Sequence, residues 1–167
     1  MAIAPRILPI GVAVAICAIA IGVWWTRASG DEQAIRAQLE ALQWEVNRST
    51  AAGPESAAHA EQIGEFFTGD AVVELGKGAA PIVGRPTLIG MVFRLQPRTA
   101  AFRIQLDDVG VQVAPGGGSA EVTLTASFIQ RAGGGDESRD VSEFALTLTR
   151  ADNRWRIAKV TAVDTLR

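Results

Sequence analysis

From Ala101 to Asp164 apolar and polar residues alternate through four long segments. Phe102, Ile104 and Leu106 share one face of the first, and Val109, Val111 and Val113 resume it after a change of phase at Asp107-Asp108. Val122, Leu124, Ala126 and Phe128 share a face of the second, and Phe144, Leu146 and Leu148 of the third. Trp155 and Ile157 open the fourth, which shifts phase near Lys159. A period of two predicts strands with one buried face. Pro115-Gly-Gly-Gly118, Gly133-Gly-Gly-Asp136 and Ala151-Asp-Asn153 are turn sequences, so neighbours are expected to pair as antiparallel hairpins. The two phase changes have the form of β-bulges, which bend a sheet. The opposite strand faces carry Thr123, Thr125, Ser127, Thr147 and Thr149, expected to meet solvent or a second subunit.

Upstream the period changes to that of helices. Ser29-Gly-Asp-Glu32 reads as a capping box, followed by Ile35, Leu39, Leu42 and Val46 on one stripe. Trp44 falls off that stripe and is expected either to lie under the Ala51–Ala58 connection or to contact a partner or membrane. Gly53-Pro54 breaks the helix. A second helix is expected from about Ala57 to Phe67, ending at Gly69, then short strands at Ala71–Leu75 and Pro81–Val83. Pro86 opens a third helix carrying Leu88, Ile89, Val92 and Phe93, and Pro97 stops it.

Ile7 to Trp25 is a run without a charge, closed by Arg6 and Arg27. As a helix it spans roughly 28 Å, close to the hydrocarbon thickness of a bilayer. Trp24 and Trp25 stand where an interfacial anchor belongs. The run exceeds the usual core of a cleaved signal peptide, the competing reading. The expected division is a tail and single transmembrane signal anchor over 1–28, and one domain over 29–167. The expected location is the cell inner membrane, with the domain on the periplasmic or extracellular side. Arg6 opposes Arg27 and Arg36, so the positive-inside count contributes little to that orientation.

The only cysteine, Cys17, lies inside this run, so no intramolecular disulfide is available. A formal charge of −2 without a basic stripe argues against nucleic acid as a partner. His59 is the only histidine, and no His/Asp/Glu group stands at metal-ligand spacing. With alanines around it, His59 reads as a solvated or capping residue. No serine sits in a nucleophile elbow. The glycines after Pro115 lead into a strand and lack the lysine of a phosphate loop. No cofactor is implied. Acids such as Glu74, Asp107, Asp108 or Glu143 would serve as a base only if buried against apolar walls.

Three stretches carry a family resemblance: Phe66-Phe-Thr-Gly-Asp-Ala-Val-Val-Glu-Leu75, Gly84-Arg-Pro-Thr-Leu-Ile-Gly-Met91 and Asn153-Arg-Trp-Arg-Ile157. With the order of elements, they make residues 31–167 resemble the nuclear transport factor 2-like superfamily, particularly its SnoaL-like and ketosteroid-isomerase-like domains. The resemblance implies an α+β, cystatin-like fold: a cone-shaped curved antiparallel sheet wrapped around about three helices, with an apolar pocket and often a dimer. The large side chains expected inside that cone are Phe66, Phe67, Met91, Phe93, Phe102, Phe128, Phe144 and Trp155. Isomerase-like relatives use an acidic base and commonly a tyrosine, and this chain has no tyrosine. The expected function is therefore a membrane-anchored, non-catalytic module binding a small apolar ligand, with a second copy of itself or an envelope protein as the expected protein partner. The alternative is a SnoaL-like enzyme doing acid–base chemistry (isomerase, dehydratase or cyclase) on a small apolar substrate.

Overall fold

A computed structural model describes residues 30–48, 54–76, 78–95, 101–131 and 137–163. Helix α1 occupies 30–47 of these. Then come α2 (Pro54–Gly64), β1 (Phe67–Glu74), β2 (Ile82–Val83), α3 (Arg85–Leu95), β3 (Ala101–Val113), β4 (Ser119–Arg131), β5 (Glu137–Ala151) and β6 (Arg154–Val163). The strands form one sheet in the order β2-β1-β6-β5-β4-β3. Every pairing is antiparallel except β1 with β6, which is parallel. The class is α+β, with the helices packed on one face of a curved sheet.

The long hairpins follow from the turn residues. Asp152 and Asn153 hold φ of 51° and 60°, the left-handed pair that a two-residue hairpin turn demands. Curvature follows from two bulges. The β3–β4 register slips between Asp107 and Gly110, where Asp108 sits at φ 52°. There Gly110 passes so close to β4 that an added Cβ would lie 2.9 Å from the Thr123 hydroxyl. The second slip leaves Ala158 unpaired with β5, between Ile157 opposite Leu148 and Lys159 opposite Thr147. Each extra residue re-aims the alternation and bends the strand towards the helices.

The concave face and the α1 stripe make the core. Ile35 and Leu148 are fully buried, and Leu39, Val122, Trp155 and Ile157 are nearly so. Beside this apolar stripe α1 carries a polar one. Arg36 donates to the Val109 carbonyl at 2.7 Å, and the Gln43 carbonyl oxygen accepts from Leu106 N at 2.7 Å. Asn47 accepts from Ile104 N at 2.7 Å and donates to the Ile104 carbonyl at 2.8 Å. β3 is an edge strand, and these side chains occupy backbone groups that no neighbouring strand reaches.

Three expectations change. The second helix starts at Pro54 and stops at Gly64 rather than running from Ala57 to Phe67. Pro54 opens it because a first-turn residue has no helical bond to lose. The first short strand accordingly begins at Phe67 rather than Ala71. Ser127, placed on the solvent face by alternation, is only 1% exposed, and its hydroxyl accepts from Arg139 at 3.0 Å. Ser29 and the apolar run 7–25 lie outside the described residues, among which no helix is long and apolar enough to cross a membrane.

Asn47→Ala leaves two groups of the β3 edge without partners, at about 1–3 kcal/mol for each buried group. The expected result is an unfolding free energy in urea lowered by about 2–6 kcal/mol, with a smaller loss in Asn47→Asp, which keeps the acceptor.

Candidate ligand pocket

Between the C-terminal half of α1, helices α2 and α3, and the concave face of the sheet lies a pocket of about 270 Å³ that opens to solvent on one side. Leu39, Leu42 and Val46 line it from α1, Ile63 from α2, and Leu88, Met91 and Val92 from α3. The sheet contributes Phe67, Val73, Ile104, Leu106, Leu124, Ala126, Phe128, Phe144, Leu146, Ile157 and Val160. Leu75, just past β1, is half exposed and also borders it. Among the described residues one polar side chain, Gln43, lies on the wall, with its carbonyl oxygen held by Leu106 N. Among the described residues no titratable side chain lines the space. Such a wall offers dispersion contact and dehydration, and no group that gives or takes a proton.

Four of the expected interior residues meet here: Phe67, Met91, Phe128 and Phe144. The rings of Phe128 and Phe144 pack edge to face at 6.2 Å. Phe102 stacks outside them, 6.3 Å from Phe128, and does not reach the wall. Phe66 packs against the core from the side. Trp155 is buried in the core away from the cavity; its carbonyl accepts from the Gln38 side chain, and the Arg150 guanidinium lies 5.9 Å from its ring. Phe93 is 47% exposed. It stands about 140° around α3 from the buried Leu88, at 100° per residue. Trp44 is 63% exposed, with the Arg48 guanidinium 5.5 Å from its ring, so the segment after Pro54 does not cover it.

Most of the wall is aliphatic and was not singled out from the sequence. The signal was present, since Leu124, Ala126 and Leu146 alternate on the same faces as Phe128 and Phe144.

The candidate acids point away. Asp107 and Glu143 both lie opposite Thr125 on the outer face. Asp108 reaches the Thr125 hydroxyl at 3.4 Å. Glu74 pairs with Lys159 at 3.1 Å and accepts from Thr161 at 3.2 Å. His59 is not solvated: it is 3% exposed. Its Nε2 lies 2.6 Å from the Glu45 carbonyl oxygen and 3.5 Å from the Glu45 carboxylate. Arg48 donates to that carboxylate and to Gln62, both at 2.6 Å. An imidazole beside a carboxylate has the makings of an acid–base pair. Neither residue lines the cavity, however, and the cluster clasps α1 to α2.

A bent sheet closed on three helices around an apolar hollow defines an α+β cone protein of the cystatin-like type. The model of the SnoaL-like domain matches residues 56–161, and the chain belongs to that family. Among solved structures it is similar to a nuclear transport factor 2-like protein with a cystatin-like fold from Novosphingobium aromaticivorans. That pair is 20% identical over 84% of this chain and 87% of the other, with a TM-score of 0.63. A protein from Catenulispora acidiphila in complex with S-DNPA is 13% identical, covers 80% and 92%, and has a TM-score of 0.64. A third, from N. aromaticivorans and provisionally assigned as a scytalone dehydratase, is 13% identical over 81% and 84%, with a TM-score of 0.64. A comparison with curated proteins finds no match.

Leu146→Ala removes wall atoms from a site backed by the fully buried Leu148. The expected cost is about 2–5 kcal/mol in chemical denaturation, with a larger cavity in the crystal structure of the variant.

Proposed function

We propose that the domain binds a small, largely hydrocarbon molecule inside the cone and performs no chemistry on it. The observation that supports this reading is the wall itself: among the described residues Gln43 is its single polar side chain and none on it titrates. An apolar cavity of about 150 Å³ accommodates benzene. A space of about 270 Å³ therefore suits a fused two-ring hydrocarbon or a chain of roughly ten carbons. Ten non-hydrogen atoms at about 0.7 kcal/mol each give a dissociation constant on the order of 10 µM. The Catenulispora protein, which is in complex with S-DNPA, has a similar fold, which fits this reading. The alternative is an acid–base enzyme on the pattern of the provisionally assigned dehydratase. It requires a proton-handling group on the wall, and the candidate acids face outward.

Calorimetry with naphthalene and with 2-naphthoate tests the proposal. Naphthalene is expected to bind in the micromolar range and the carboxylate at least tenfold more weakly, because its charge would lose water without a partner. Ala126→Leu fills the space and is expected to abolish naphthalene binding without lowering the melting temperature. Equal binding of both compounds, or binding undisturbed by Ala126→Leu, overturns the proposal.

The uncharged run Ile7–Trp25 is proposed to tether the domain to the outer face of the inner membrane. The chain is then expected to stay with membranes in alkaline carbonate, and a periplasm-dependent phosphatase fused after Arg167 to be active. Activity of a cytoplasm-only reporter at that position contradicts the placement.

A further inference from the structure

Burial along the long strands marks the open end of the cone. On β5 it falls from the buried Leu148 and Leu146 to a half-buried Phe144 and an exposed Asp140. On β4 it falls from the buried Val122, Leu124 and Ala126 to a half-buried Phe128. Half-exposed Leu75 borders the pocket at this same end, since Glu74 pairs with Thr161 and Thr161 with Ala145. There β4 and β5 run on past the pocket. The alternation that turns Leu146 and Phe144 inward continues through Ser142 to Asp140, so Asp140 lies on the concave face just beyond the wall. Its cross-strand neighbour is Phe128, which does line the pocket, and the Cβ atoms of such a pair stand about 5 Å apart. The half-buried Phe102 has its ring 6.3 Å from that of Phe128. Among the described residues no side chain forms an ion pair or hydrogen bond with the Asp140 carboxylate.

The geometry points to a lip that holds the cationic end of the ligand: Asp140, with the Phe128 and Phe102 rings beside it, takes an ammonium group whose hydrocarbon body fills the pocket. The preferred occupants are then small apolar amines. This inference rests on the pocket reading and narrows its ligand class. A carboxylate beside aromatic rings offers a cation both charge and ring contact. At an exposed site each contact is weak, so the lip selects among ligands that the apolar wall already holds. Tethering by the body raises the local concentration of the head at Asp140, which a free ammonium ion would lack. An anionic head meets like charge there, and a hydroxyl keeps its water at little cost. Position on the strand, rather than acidity alone, makes the distinction. Glu143 lies on the opposite face of β5, across from Thr125, and has no access to a molecule in the pocket.

Calorimetry of the full chain in a nonionic detergent at neutral pH tests it with naphthalene, 2-naphthylethanol and 2-naphthylethylamine. The amine carries a full charge under these conditions, as lysine does. Its two methylenes are chosen to carry the ammonium past Phe128. The amine is expected to bind about fivefold more tightly than the alcohol at low salt, with the advantage reduced at high salt. Asp140→Asn keeps the size of an exposed side chain and is expected to bring the amine level with the alcohol, leaving naphthalene binding unchanged. Glu143→Gln removes the same charge from the outer face and is expected to leave the advantage in place. An amine that binds no better than the alcohol, while naphthalene still binds, overturns this inference alone. An advantage that survives Asp140→Asn, or that falls equally in Glu143→Gln, overturns it as well, by showing a general attraction to an acidic chain. Failure of naphthalene itself to bind overturns the pocket reading and this inference with it.

Discussion

The structure depends on how the open edge of β3 is closed. The sheet ends there, and an edge strand left bare invites pairing with another chain. Helix α1 prevents this with three polar side chains, Arg36, Gln43 and Asn47, spaced seven and four residues apart on one helical stripe. The neighbouring stripe of Ile35, Leu39, Leu42 and Val46 turns into the core. Two adjacent stripes on one helix thus fix its rotation and its distance from the sheet. A helix bonded to the strand edge cannot settle onto the middle of the concave face, and the two bulges carry the sheet around it.

The hollow follows from that standoff. An apolar pocket left unfilled forgoes packing contacts that the surrounding leucines and valines would otherwise make. The side chains around it remain in their own layers: leucines and valines inside, acids outside, and the His59–Glu45–Arg48 cluster between α1 and α2. Charge has been removed from the cone by the same alternation that built the strands. What is left favours apolar occupancy over proton transfer.

Much of this was legible in the sequence, and the parts that were not share a cause. Alternation located four long strands, and its breaks at Asp107-Asp108 and near Lys159 marked both bulges, because a change of phase is a local property of the chain. The stripe on α1 was legible for the same reason. The limits of α2 were not, because Phe66-Phe67 suits the end of a helix as well as the start of a strand, and β6 decides between them by pairing Ile157 with Phe67. The edge contacts of Gln43 and Asn47 and the burial of His59 needed partners far away in the chain or on another helix. In the cavity, side-chain size misled: Phe93 and Trp155 were favoured as aromatics, whereas position on the face selected Leu124, Leu146 and Val160.

The central claim is an apolar pocket whose described wall, Gln43 apart, offers no group that holds water. A high-resolution crystal structure under xenon pressure tests it most directly, since apolar cavities take up xenon and exclude ordered water. The account predicts xenon among Leu39, Leu124 and Leu146, with no ordered water bonded to the wall away from Gln43. Ordered water hydrogen-bonded inside the cone, or a carboxylate turned into it, would contradict the account.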